Sequence, residues 1–211
     1  MRRKGYHNWV RFMVKEEIIN HIISKIDVGD VYRASLPYKV IFSSVGKHYL
    51  AILFQEQNGE PVMKINKHLK LGITSITLYK VPENVERILS TIAPLIHIRA
   101  KESTIYALLN TLKEVPNDDE MVVQITLTED KGIIQLIFPI RETKTSTHTI
   151  EYVVSIPDIT TSVRYLYRAK GTVKIHKIPK RNPKINRILW KIEKIDSVLK
   201  SMRTKAGDLN A

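Results

Sequence analysis

Residues 121–140, MVVQITLTEDKGIIQLIFPI, decide the fold. Two strongly apolar runs rich in β-branched residues, MVVQITLT and IIQLIFPI, flank Glu129-Asp130-Lys131-Gly132, which has turn composition. The stretch therefore reads as a β-hairpin. Towards the C-terminus, the polar RETKTSTHT (141–149) reads as a mobile loop and IEYVVSI (150–156) as a third strand. VRYLYRA (163–169) and TVKIHKI (172–178) form a second hairpin turning at Lys170-Gly171. PKRNP (179–183) is a breaker, and a helix follows over 184–203.

Upstream of the decisive hairpin, residues 101–114 carry Ile105, Leu108, Leu109 and Leu112 at helical spacing, closed by Pro116. Before them Pro82 opens a helix with Val85, Ile88, Leu89 and Ile92 on one face, and Pro94 is expected to end it. Four shorter runs, YKVIFSS (38–44), HYLAILFQEQ (48–57), PVMKI (61–65) and ITSITLYKV (73–81), read as strands. Turns are expected at Val45-Gly46-Lys47 and Asn58-Gly59, and residues 8–26 have a helical period. The fold class is α+β: a mixed sheet flanked by helices in the N-terminal half, antiparallel hairpins and a basic amphipathic helix in the C-terminal half. A seam near Pro116 suggests an α/β lobe over 1–115 and a β-hairpin lobe over 116–211, with a single compact domain as the alternative.

The 211 residues contain no cysteine, which excludes disulfides, Cys-based zinc sites, iron–sulfur clusters and thiol nucleophiles. No apolar run approaches a membrane span, and charges interrupt the basic N-terminus before a signal-peptide core can form, so an intracellular, cytoplasmic location is expected. The net charge of +13 is concentrated. Residues 164–205 hold 14 of the 34 Lys and Arg against two acids, Glu193 and Asp196, leaving 20 basic and 19 acidic residues for the rest of the chain. Uniform lysine enrichment, as in heat-adapted proteins, would not cluster in this way; a polyanion-binding surface would.

No catalytic residue, metal site or cofactor emerges. The seven histidines show no ligand spacing, and phosphate-loop and nucleophile-elbow signatures are absent. Asp118 or Asp119 followed by Glu129-Asp130-Lys131 imitates the acid…acid-x-Lys pattern of metal-dependent nucleases, but the second part lies in the hairpin turn rather than on a rigid strand.

The N-terminal order RRKG, a long helix, LPYKVIFSSVGKHYLAILFQ, EPVMKI and ITSITLYKV before another helix resembles archaeal Holliday-junction resolvases, a branch of the restriction-endonuclease-like fold. In that family an aspartate follows the proline of the first core strand, and Glu-x-Lys lies in the next. Here those positions hold Tyr38, Leu53 and Gln55, and the family's helical glutamate falls near Trp9. The resemblance implies the fold and a DNA-binding dimer without the metal site.

The basic elements carry the functional expectation. Strand alternation puts Val163, Tyr165 and Tyr167 on one face and Arg164, Leu166 and Arg168 on the other, while Lys174 and His176 share a face of the next strand. In the terminal helix Ile185, Ile188, Ile192, Ile195, Leu199 and Met202 form an apolar seam, suited to the domain's own core or to a homodimer partner. Lys184, Arg187, Lys191 and Lys194 form a second stripe, with Trp190 nearly opposite the seam. The expectation is a non-catalytic nucleic-acid-binding protein, with DNA the favoured polymer. Its contacts would be Arg2, Arg3, Lys4, Arg164, Arg168, Lys170, Lys174, Lys177, Lys180, Arg181, Lys184, Arg187, Trp190, Lys191 and Lys194. Two competing classes are a structure-selective nuclease with an atypical metal site, using Glu56, Glu60 or Glu129, and an assembly protein with a basic interaction face.

Overall fold

The structure, a computed structural model, describes residues 36–208 other than 46–48, 69, 83, 96–97, 117 and 119, with backbone alone for 42–45, 95 and 203–208. The helix expected over 8–26, Trp9 and the turn at 45–47 lie outside the described residues or run into them. Among the described residues nine strands form one sheet in sequence order: β1 (Lys39–Val45), β2 (Tyr49–Gln55), β3 (Pro61–His68), β4 (Ile73–Leu78), β5 (Val122–Leu127), β6 (Gly132–Glu142), β7 (Ser146–Ile156), β8 (Thr160–Ala169) and β9 (Thr172–His176). Helices α1 (Val85–Leu95) and α2 (Glu102–Lys113) stand between β4 and β5, and α3 (Pro183–Asp208) follows β9.

The class is α+β, but the mixed sheet expected in the N-terminal half is antiparallel at every pairing. The reason lies in the helix pair. One crossover helix returns the chain to the start of a strand and favours a parallel neighbour, whereas two helices in succession cancel that reversal. β5 therefore enters where β4 left off, in antiparallel register from Thr74↔Leu127 to Leu78↔Val123. The sheet passes unbroken through the region of Pro116, and one cluster of buried residues draws on both sides of it.

Alternation assigns the two faces of the sheet. Ile52, Ile65, Ile76, Ile125, Ile134 and Val154 are successive register partners across β2 to β7, and all are buried. They join Val85, Leu89 and Ile92 of α1, Leu108 and Leu112 of α2 and the α3 seam in a single core. The residues between them, Leu53, Lys64, Thr77, Gln124, Gln135 and Val153, form a parallel row on the opposite face, which no described helix covers. Gly132 keeps the core face closely packed: a Cβ there would come within 2.7 Å of Ile156 and 2.8 Å of Leu127.

Two local expectations need correction. Most of 141–149 is strand: β6 continues to Glu142 and β7 begins at Ser146, with Thr143 N–H donating to the Ser146 carbonyl at 2.8 Å across a tight turn. The polarity that suggested a loop belongs to threonines, whose branched Cβ suits an extended backbone. Pro94 lies inside the last turn of α1 rather than ending it.

In α3, Ile185, Ile188, Ile192, Ile195 and Leu199 are buried in the core of the same chain and Met202 packs on it. Each such burial contributes about 2 kcal/mol. Asn182 caps the helix, its Oδ1 accepting from the N–H groups of Lys184 (3.0 Å) and Ile185 (3.3 Å), and Pro183 occupies the first turn, where no N–H is needed. No helix among the described residues is long and apolar enough to cross a membrane.

Candidate nucleic-acid interface

The β8–β9 hairpin turns on two successive left-handed residues, Lys170 (φ 47°) and Gly171 (φ 76°), the geometry of a two-residue turn matched to strand twist. β9 is the sheet's last strand and all five of its residues are exposed. Register carries the expected alternation through: Tyr165 pairs with His176 and Tyr167 with Lys174, on the side bearing the helices. Leu166 pairs with Ile175 and Arg168 with Val173, on the opposite side, where Leu166, Thr149, Glu151 and Val153 are buried.

Both tyrosines meet His148 of β7. The His148 ring lies 4.8 Å from that of Tyr167 and 5.8 Å from that of Tyr165, and the Tyr165 hydroxyl is 3.0 Å from His148 Nδ1. His176 closes the group at 6.1 Å from Tyr167 and 6.4 Å from Tyr165. Beyond His148, Arg141 of β6 is its register partner, so Arg141, His148, Tyr167 and Lys174 form one row across four strands. Arg141 and His148 are obscured in the sequence by the polarity of 141–149; the branched Cβ atoms of its threonines are the signal for strand that brings both into the row.

The cations named from the sequence fall into two sets. Arg168 donates to buried Glu151 at 2.5 Å and to Thr149 Oγ1 at 3.0 Å. Arg187 pairs with Glu120 and Lys191 with Asp118, while Lys194 sits 3.7 Å from the centroid of its own helix's Trp190. Burial pushes the Asp118 carboxyl up, but Lys191, the Glu120 backbone N–H and Arg187 outweigh it and hold Asp118 below the usual carboxylate range. Arg164, Lys170, Lys174, Lys177, Lys180, Arg181 and Lys184 are exposed and form no ion pair among the described residues. Arg2, Arg3 and Lys4 lie outside the described residues.

Trp190 is 55 % exposed beside an open groove of about 670 Å³ lined also by Pro116, Asp118, Lys191 and Val198. The acids on this groove make it electrically mixed, unlike the hairpin and linker. Glu56 and Glu60 both hold Lys80, at 3.4 and 2.7 Å, and Asp130 holds Lys101 at 2.6 Å. The Thr128–Lys131 hydrogen bond at 2.9 Å places Glu129 and Asp130 in a hairpin turn. Leu53 and Gln55 lie in β2, and Gln55 donates to the Gly59 carbonyl at 3.0 Å. No group of three potential metal ligands occurs among the described residues. No family model matches the chain, and neither a curated protein nor a solved structure matches it.

Proposed function

We propose that the protein binds nucleic acid, with DNA the favoured polymer, through the β8–β9 hairpin, the 177–182 linker and the first turn of α3. One observation carries the reading: from Lys170 to Lys184 the chain presents Lys170, Lys174, Lys177, Lys180, Arg181 and Lys184 without an intervening acid or a described ion-pair partner. Cations that stabilise a fold find carboxylates, as Arg168, Arg187 and Lys191 do. Six unmatched cations concentrated on one short segment raise the local potential and favour a polyanion, whose bound counterions they displace. Arg187 and Lys191 belong to the support of α3, and Trp190 is shielded on one side by Lys194.

Two sets of substitutions test the reading. Replacing Lys174, Lys177, Lys180 and Arg181 together by glutamine should weaken binding to a defined oligonucleotide at least a hundredfold at low salt. It should also flatten the salt dependence by roughly 0.9 per lost phosphate contact on duplex. Arg187→Gln with Lys191→Gln should lower thermal stability and change affinity less than threefold. The opposite pattern, or binding insensitive to both sets, would refute the assignment.

A further inference from the structure

We infer that the row Arg141, His148, Tyr167 and Lys174, with Tyr165 and His176 beside it, is a stacking platform for unpaired nucleobases, making single-stranded nucleic acid the preferred ligand. The inference rests on the nucleic-acid reading above and narrows it to a substrate class.

The row is built by register across β6, β7, β8 and β9, and spans three strand spacings, roughly 14 Å. Its chemistry is ordered: a cation at each end and two π-systems between them, with ring centroids 4.8 Å apart. Tyr165 packs against the hydrophobic core and its hydroxyl meets His148 Nδ1 at 3.0 Å, which holds the imidazole on a fixed support. Tyr167 is not part of that core, His176 is exposed, and both end cations are exposed. Alternation puts Glu142, the acid adjacent to Arg141 in sequence, on the other side of the sheet through its pairing with Thr147. The platform face is therefore cationic and aromatic together.

Phosphates need only the cations; the rings add nothing to a duplex, whose bases are hidden in their own stack. A single strand can place bases on the rings while its phosphates reach Arg141 and Lys174, the combination that single-strand binders use. Lys170 in the hairpin turn and Lys177 just after β9 are further exposed cations close to Lys174 along the chain.

The experiment compares wild type, Tyr167→Leu and the glutamine variant of Lys174, Lys177, Lys180 and Arg181. Probes are a dT-rich 12-mer carrying 2-aminopurine, a 12-base-pair duplex and heparin. Wild type should bind the single strand at least tenfold more tightly than the duplex, and 2-aminopurine emission should be quenched on binding. Tyr167→Leu should lose about tenfold on the single strand, the size of one base–aromatic stack, and lose the quenching. Its duplex affinity and salt slope should stay within twofold of wild type, and its circular dichroism unchanged. Equal affinity for single strand and duplex, an equal loss on both, or quenching that survives the substitution would overturn the platform while leaving polyanion binding standing. Wild type that binds heparin and DNA alike overturns the platform in favour of a generic basic face. Wild type that binds none of the probes overturns both readings.

Discussion

Arg168 and Glu151 are unequal partners: the carboxylate is 1 % exposed and the guanidinium 38 %. Glu151 also accepts from Thr149 and Gln135, each at 3.4 Å, so the 2.5 Å contact with Arg168 is its short one. Removing the cation strands a buried charge, whereas removing the carboxylate frees an arginine that can reach water. Arg168→Ala should therefore destabilise the fold by about 3 kcal/mol in urea titration, with Glu151→Gln costing less than half of that. Any loss of nucleic-acid binding by Arg168→Ala should vanish once the folded fraction is restored at lower temperature. Lys67 poses a different residue-scale problem, since it is buried in the core-facing row between Leu50 and Thr74. Burial, and then the nearby Arg99, lower its pKa to about 8. A lysine lowered on folding costs stability in full below its folded value, and the cost fades as pH rises from about 8 towards the ordinary lysine range. In denaturant titrations the stability difference between wild type and Lys67→Met should therefore shift in favour of wild type as pH rises from 7 to 10.

At the scale of elements, α3 is fixed by a buried stripe and by two aspartates that tie it to the sheet side of the domain. Burial raises the Asp196 carboxyl, but Lys200, Thr161 and Tyr152 together hold it below the usual range, and Asp118 is lowered on balance as well. Tyr152 is itself raised, by burial first and then by its bond to Asp196. Because both carboxyls are depressed on folding, their contribution is complete above the unfolded value near pH 4 and is lost as pH falls through the folded values. Thermal melts between pH 5 and pH 2.5 should fall more steeply for wild type than for Asp118→Asn or Asp196→Asn. A tighter constraint sits in β6, where Gly132→Ala would push a methyl against Ile156 and Leu127 and should cost about 1–3 kcal/mol by denaturant titration.

Each strand and helix of the described chain was legible as an element, because apolar runs, Gly-containing turns and a 3.6-residue period are local signals. What connects elements was less so. Antiparallel pairing across the helix pair depends on where α1 and α2 deliver the chain, which no single run encodes. The pairings of Arg187 with Glu120 and Lys191 with Asp118 span 67 and 73 residues, so sequence alone could not separate α3's structural cations from free ones. Alternation places Tyr167 and Lys174, whereas Arg141 and His148 lie in the end of β6 and the threonine-rich start of β7, which read as polar loop.

The described residues form one sheet and share one core, and the acid-free run of cations from Lys170 to Lys184 begins at the edge where β9 ends the sheet. A sheet continuous from β4 to β5 should unfold in a single transition seen alike by circular dichroism and by Trp190 fluorescence in a Trp9→Phe background. The same arrangement leaves an exposed edge strand bearing Val173 and Ile175, the latter 70 % exposed, with Lys174 between them to discourage strand-to-strand aggregation. The most direct test of the central claim is the salt dependence of DNA affinity for the unmodified protein. With all six cations of the Lys170–Lys184 segment engaged, a plot of log K against log salt should have a slope of about −5 on duplex and about −4 on single strand. A slope flatter than about −1 would contradict the assignment of this segment as a phosphate-binding surface.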